Sequence, residues 1–191
     1  MSGDAVRALT DCIAWFDAAL DRSFCAQLID SFEASAAQQT RNGRGVRAGL
    51  DHSNWTELNV SRLADDDFRG FFLHQIEAGL ARYNERVRLT IPVPMRPRIE
   101  DLRIKRYRAG TDEQFQPHFD SIDAVANRYL VFLWYLNDVA EGGETEFGDL
   151  GVRVEARAGR LLVFPPFWMF QHAGLPPRSN DKYILSTYLL F

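Results

Sequence analysis

Lysine is nearly missing from this 191-residue chain: Lys105 and Lys182 are the only two, while arginine is abundant. Cysteine is as scarce. Cys12 and Cys25 alone cannot make a disulfide framework for a chain of this length, so both are expected to be reduced and partly buried in their apolar surroundings. Long hydrophobic runs are lacking too. The longest apolar stretch, residues 161–170, is interrupted by Pro165 and Pro166, so no membrane span is expected. Met1-Ser2-Gly3-Asp4 has neither a basic nor an apolar leader region, so no secretory signal is expected and a cytoplasmic location is the expectation. There is no excess of positive charge. A net charge of −4 and a pI near 5.6 leave no basic footprint for nucleic acid. Internal repeats and low-complexity tracts are absent as well.

What is present suits one folded domain spanning residues 1–191, with 46% hydrophobic and 13% aromatic residues. Residues 12–18 read as a short extended piece. Asp21 or Ser23 can cap a helix running to about Ala36, with Cys25, Leu28, Ile29 and Phe32 on one stripe. The segment from Gln38 to Gly49, rich in Gly, Asn and Arg, reads as a mobile loop, and the wider stretch 38–56 with Trp55 as a lid. A second helix is expected over 64–86, where Phe68, Phe71, Phe72, Ile76, Leu80 and Tyr83 recur at helical spacing behind the acidic run 65–67. His52 and His74 have no matching partners and read as structural or exposed.

Beyond Pro97 the pattern changes to short strands over 100–108, 128–136, 151–155, 160–164, 170–173 and 182–190, punctuated by glycines. That rhythm suggests a barrel or a two-sheet jelly roll. Arg103, Lys105, Arg106 and Arg108 cluster on the first of these strands, and the default reading is that alternation turns one set toward solvent.

The chemistry concentrates in His118-Phe119-Asp120, His172 and Lys182. Residues i and i+2 of a strand point to one side, so His118 and Asp120 can share a metal while Phe119 turns away. His172, brought in from a distant strand, completes two histidines and one carboxylate, the facial triad of non-haem Fe(II) oxygenases. The Pro-, Gly- and Ser-rich interval 173–181 reads as a loop that returns Lys182 to the same cavity as a fixed positive charge.

Residues 101–191 resemble the catalytic domain of the prolyl 4-hydroxylase family of 2-oxoglutarate- and Fe(II)-dependent dioxygenases. The matching segments are 104–110, 115–120, Arg128, 135–138, 141–147, 158–165 and the ten-residue interval from His172 to Lys182. The Tyr107-to-His118 interval is two residues longer than the family pattern. The resemblance implies a mainly β fold with flanking helices, a double-stranded β-helix with its helices packed on the larger sheet. It implies Fe(II) on His118, Asp120 and His172, with 2-oxoglutarate and O2 as cosubstrates and L-ascorbate as an optional reductant. Lys182 then takes the distal carboxylate of 2-oxoglutarate, and Tyr107 and Thr145 line that pocket. A carboxylate at Asp120 occupies the coordination position a halide needs, which favours hydroxylation over halogenation. Arg128, Tyr188 and Trp134 are the substrate-facing candidates, with Phe115, Phe167 and Trp168 as further wall residues.

The expected activity is hydroxylation of an aliphatic C–H in a peptidyl residue (proline included), an amino acid or a small metabolite, with release of succinate and CO2. Two other classes fit parts of the pattern. A cupin-like metal binder explains the triad but not Lys182. A zinc hydrolase needs a general base, for which Glu144 and Glu146 are the only candidates.

Overall fold

A computed structural model describes residues 8–46 and 48–191; Met1–Asp4, on which the reading of the leader rests, lie outside the described residues. The strands are β1 (Ala14–Phe16), β2 (Thr40–Gly43), β3 (Asn54–Asn59), β4 (Arg98–Ile99), β5 (Arg103–Tyr107), β6 (Phe115–His118), β7 (Arg128–Tyr135), β8 (Thr145–Phe147), β9 (Val152–Val154), β10 (Leu161–Phe164), β11 (His172–Gly174) and β12 (Lys182–Leu190). The helices are α1 (Arg22–Ala34) and α2 (Asp66–Val87). No helix among the described residues is long and apolar enough to cross a membrane.

Two antiparallel sheets form the double-stranded β-helix. The large one runs β1-β10-β7-β12-β5-β3-β2 with β4 on β12, and the small one runs β6-β11-β8-β9. Strand alternation sorts the large sheet's residues into two cores. Leu130, Phe132, Trp134, Leu161, Val163, Ile104 and Leu185 face the helices and pack on Phe32, Phe72, Ile76 and Leu80. Val131, Leu133, Tyr135, Leu162, Phe164 and Ile184 face the small sheet and pack with Phe147 and Val154. Both helices therefore lie on the outside of the large sheet, as the resemblance implied. The approach of α2 is close enough that a methyl group on Gly79 would come within 2.8 Å of Leu161 and 2.9 Å of Phe132.

The helices start near their expected positions. Asp65 caps α2 by accepting a hydrogen bond from the Phe68 amide at 2.8 Å. Asp21 precedes α1, whose Cys25, Leu28 and Phe32 are buried. Neither Cys12 nor Cys25 is in a disulfide. His52 and His74 are exposed.

Two expectations fail here. The segment 40–43 is not loop but strand, paired with β3 from Thr40↔Glu57 to Gly43↔Asn54. Its polar composition is offset by Arg41, which donates to Glu113, Thr56 and Asn54. Trp55 is accordingly no lid residue: it is 1% exposed and stacks on Phe115 at 4.7 Å. The basic cluster on β5 has no solvated set among its strand residues. Lys105 and Arg106 are both buried, Lys105 on the inner face and Arg106 on the outer face, where it pairs with Glu33 of α1 at 2.9 Å.

Candidate active site

β6 and β11 are neighbours in the small sheet, and their register sets His118 directly opposite His172. Asp120 follows β6 in a turn docked on the loop after β10, where the amides of Asp120 and Ser121 both donate to the Pro166 carbonyl, at 3.0 and 3.1 Å. The carboxylate then lies between the two rings, with Oδ1 3.5 Å from His118 Nε2 and Oδ2 3.4 Å from His172 Nε2. One ligand atom from each residue falls within 4.8 Å of the others.

The proton positions suit a metal. His118 Nδ1 donates to the Gln116 carbonyl at 2.7 Å, and His172 Nδ1 to the Phe170 carbonyl at 3.1 Å. A carbonyl can only accept, so both Nδ1 atoms carry hydrogen and both Nε2 atoms face Asp120. Burial, with His118 beside it, pushes the His172 pKa down to about 3, so its ring is neutral. Asp120 pays a desolvation cost, yet the two histidines hold its carboxyl far below the usual range, so it is ionised. Aromatic packing fixes both rings. Phe115 stacks on His118 at 3.6 Å between centroids, and Phe164 meets His172 edge-on at 4.6 Å. Two imidazoles and one carboxylate on a rigid scaffold fit a divalent first-row metal.

Lys182 starts β12 opposite Tyr107 and is 2% exposed. It lines the same cavity as the triad, with Tyr107, Thr145, Phe115, Leu133 and Ile184. Burial drives its pKa down to about 7, against the small opposing pull of Glu144. Its ammonium sits over the rings of Tyr107 and Tyr135, at 5.5 and 5.6 Å. Gly174 lies beside the ammonium, where an added methyl group would sit 3.8 Å from Nζ. A desolvated cation in an apolar pocket is a receptor for a carboxylate. Tyr135 donates to Thr145 Oγ1 at 2.7 Å, which orients the threonine hydroxyl at the cavity wall.

The longer Tyr107–His118 interval is absorbed by the turn between β5 and β6, and Tyr107 lines the cavity regardless. Arg128 and Tyr188 reach a polar annex that continues from the triad, but Arg128 is already held. It donates to both Glu100 oxygens, at 2.6 and 2.7 Å, and lies 3.7 Å above the Tyr188 ring, whose hydroxyl donates to Asp120 Oδ1 at 2.9 Å. Trp134 is on the wrong side. Leu133 and Tyr135 point inward, so alternation turns Trp134 toward the helices, edge-on to Phe72 at 5.7 Å. Of the other proposed wall residues only Phe115 lines the cavity; Trp168 is exposed. Neither Glu144 nor Glu146 lines it, so neither base named for the zinc-hydrolase reading is in place. Sequence reasoning missed Glu57, Glu100, Lys105 and Ser186, which line the annex with Asp120. The period-two alternation through Tyr107 was the available signal for Lys105.

Two histidines and a carboxylate on a double-stranded β-helix, facing a buried lysine, have the composition of a non-haem iron oxygenase site. Known proteins agree. Residues 102–190 match the profile of the 2OG-Fe(II) oxygenase superfamily. The prolyl 4-hydroxylase subunit alpha-1 of Gallus gallus is 29% identical over 107 residues, covering 47% of this chain but only 20% of that protein's length. A viral collagen prolyl hydroxylase from Paramecium bursaria Chlorella virus-1, solved with 2-oxoglutarate, has the same fold at a TM-score of 0.62 and 20% identity, over 94% of this chain and 95% of that one. A Trichoplax adhaerens prolyl hydroxylase, solved with a peptide of hypoxia inducible factor, superposes with a TM-score of 0.70 at 14% identity, over 95% and 84%. Residues 102–190, a little under half of the chain, thus match the 2OG-Fe(II) oxygenase superfamily, and much of that stretch is similar in sequence to prolyl 4-hydroxylases. The chain spans about a fifth of the length of the vertebrate relatives it matches.

Proposed function

We propose that residues 1–191 form one 2-oxoglutarate- and Fe(II)-dependent hydroxylase domain, with its catalytic core in 101–191. His118, Asp120 and His172 hold the metal, Lys182 holds the distal carboxylate of 2-oxoglutarate, and Tyr107 and Thr145 flank it. The metal with 2-oxoglutarate and O2, when bound, supplies oxidative decarboxylation to succinate and CO2 coupled to conversion of a C–H bond to an alcohol. The chain's own work is placement. Asp120 gives the only anionic protein ligand, and the Nδ1–H donors of both histidines aim their Nε2 atoms. The aromatic stack over His118 keeps water off one side of the site. The observation that carries this reading is Lys182, a buried cation in the triad's own cavity.

Peptidyl, amino-acid and small-metabolite substrates are all compatible with the superfamily, and the peptide in the Trichoplax relative's complex keeps the first in play. A cytoplasmic location is proposed from the scarcity of cysteine in the sequence. L-ascorbate is proposed as an optional reductant.

The test is an anaerobic titration of the Fe(II) protein with 2-oxoglutarate, read by the visible charge-transfer band of the chelate. Lys182→Ala is expected to weaken binding roughly 30- to several-thousand-fold, because loss of a buried charge partner costs about 2–5 kcal/mol. Fe(II) affinity is expected to change little. An unchanged midpoint would remove Lys182 from the cosubstrate site.

A further inference from the structure

Among the described residues that line the triad cavity, three polar groups hold no hydrogen bond or ion pair within the protein: the Lys182 ammonium, the Tyr107 hydroxyl and the Ser186 hydroxyl. The first two stand on the side given above to 2-oxoglutarate. Ser186 has no such assignment. It is 5% exposed and lies on the inner face of β12, opposite Leu133 and two residues before Tyr188. Its neighbour Thr187 is engaged, donating to the Glu100 carbonyl at 2.8 Å. Buried hydroxyls in folded proteins find partners, so one left open toward a cavity points to a ligand.

Its position narrows which ligand. Lys105, Phe115, Asp120, Ser186 and Tyr188 line both the triad cavity and the annex, and so form the neck between them. The other polar groups of the neck are engaged. The Tyr188 hydroxyl donates to Asp120 at 2.9 Å, and Lys105 stands opposite Glu57 in the register of β3 and β5 and acts on it electrostatically. Beyond the neck the charges close on themselves. With Asp120 left to the metal, three carboxylates, Glu57, Glu100 and Asp101, face three cations, Arg103, Lys105 and Arg128. Glu57 accepts from Arg103 at 3.1 Å, Glu100 from Arg128 at 2.6 and 2.7 Å, and Asp101 from Asn59 at 2.8 Å. A charged group entering here loses its water and meets opposite charges that already have partners. An uncharged hydrogen-bonding group loses far less, and Ser186 can both donate to it and accept from it.

We propose that the annex is the subsite for a polar group of the substrate, that this group is uncharged, and that Ser186 Oγ is the hydrogen-bonding residue that selects it. This inference rests on the functional reading above.

The experiment uses Mn(II)-loaded protein with 2-oxoglutarate under nitrogen at neutral pH. Probes are short primary amides, the matching carboxylates and the matching primary amines, and binding is read from paramagnetic relaxation of probe protons. At least one amide is expected to bind about tenfold or more tightly than both its charged counterparts. Ser186→Ala is expected to weaken that amide about 3- to 10-fold, and Ser186→Thr, which keeps a hydroxyl, to retain most of its affinity. Thermal melting supplies a second readout: Ser186→Ala should not lower Tm, because the hydroxyl holds nothing in the fold. A carboxylate or amine that binds as well as its amide overturns the proposal on the wild-type protein alone, as does an absence of relaxation with every amide. So does an amide affinity that Ser186→Ala leaves unchanged. A Ser186→Ala variant that loses 2-oxoglutarate instead would give the hydroxyl to the cosubstrate. Failure of the parent reading looks different: the wild-type protein would give no absorbance band with Fe(II) and 2-oxoglutarate.

Discussion

The two faces of the large sheet are built from the same strands and differ in nearly everything else. On the outer face β7 presents Leu130, Phe132 and Trp134 to the helices, and β12 presents Leu185 and Leu189. A buried charge there, Arg106, is answered by Glu33 and by the ring of Phe32 at 5.6 Å. On the inner face β5 and β12 carry Lys105, Tyr107, Lys182, Ser186 and Tyr188 into a cavity with three metal-type ligands. Burying such groups works against stability unless each is satisfied. The apolar outer face offsets that cost, which lets the inner face be chosen for chemistry. Mutations on the two faces should therefore fail in different ways.

The largest separation is expected from the triad. His118→Ala, Asp120→Ala and His172→Ala should each abolish succinate formation in an uncoupled assay with Fe(II), 2-oxoglutarate and air. Each should move Tm less than the outer-face change Phe72→Ala does. Near-normal turnover in any of the three would remove that residue from the metal site.

Phe72→Ala is the reverse case. Its ring is fully buried against Trp134, Phe24, Phe68 and Phe71. Truncation should cost about 3–5 kcal/mol, or roughly 6–20 °C in Tm for a chain of this size. The 2-oxoglutarate affinity of the protein that remains folded should hold. Loss of that affinity in step with stability would mean that the two faces are not separable.

A smaller effect is expected where the inner face supports its own ligands. Tyr188→Phe removes one hydrogen bond to Asp120 and nothing from the packing. Fe(II) affinity should fall about 10- to 100-fold, the usual consequence of losing a partner of a metal ligand. Equilibrium dialysis measures it directly; an unchanged affinity would assign Tyr188 to the annex alone.

How far the sequence foretold these faces depended on the physics each feature uses. Period-two alternation and the His172–Lys182 spacing are local and one-dimensional, so the meeting of His118, Asp120, His172 and Lys182 in one cavity and most strands of the core were legible. Which face of a strand meets the cavity is not local. Trp134 was placed inward, and which set of the basic cluster on β5 turns inward was left open, although alternation puts each residue's neighbour on the opposite face. The hairpin of β2 and β3 was illegible for another reason. Thr40-Arg41-Asn42-Gly43 has poor strand propensity, and its pairing is made by contacts with Glu113, Asn54 and Thr56 that come from elsewhere in the chain. Tyr188 was marked as substrate-facing from its place in a pattern, and only coordinates reveal its hydroxyl on Asp120.

The finest test of the inner face is its dependence on pH. Burial lowers the Lys182 pKa from an unfolded value near 10.5 to about 7 in the folded protein. The groups acting on it are Glu144, which raises it, Lys105, which lowers it, and the rings of Tyr107 and Tyr135. Between about 7 and 10.5 the unfolded chain binds more protons at this site than the folded one. This group's destabilising contribution is therefore complete below about pH 7 and fades as pH rises toward 10.5. Cosubstrate binding runs the other way, since only the ammonium form pairs with a carboxylate. The dissociation constant for 2-oxoglutarate should be flat below about pH 7 and then rise, by up to tenfold per pH unit, until the pKa of the complex is reached. His172, neutral above about pH 3, contributes no competing limb in that range. Lys182→Arg should bind more weakly but without the limb, because a guanidinium stays charged throughout. Anaerobic titrations at several pH values decide it: a wild-type profile that is flat through pH 9 would mean that the ammonium of Lys182 is not what holds the carboxylate.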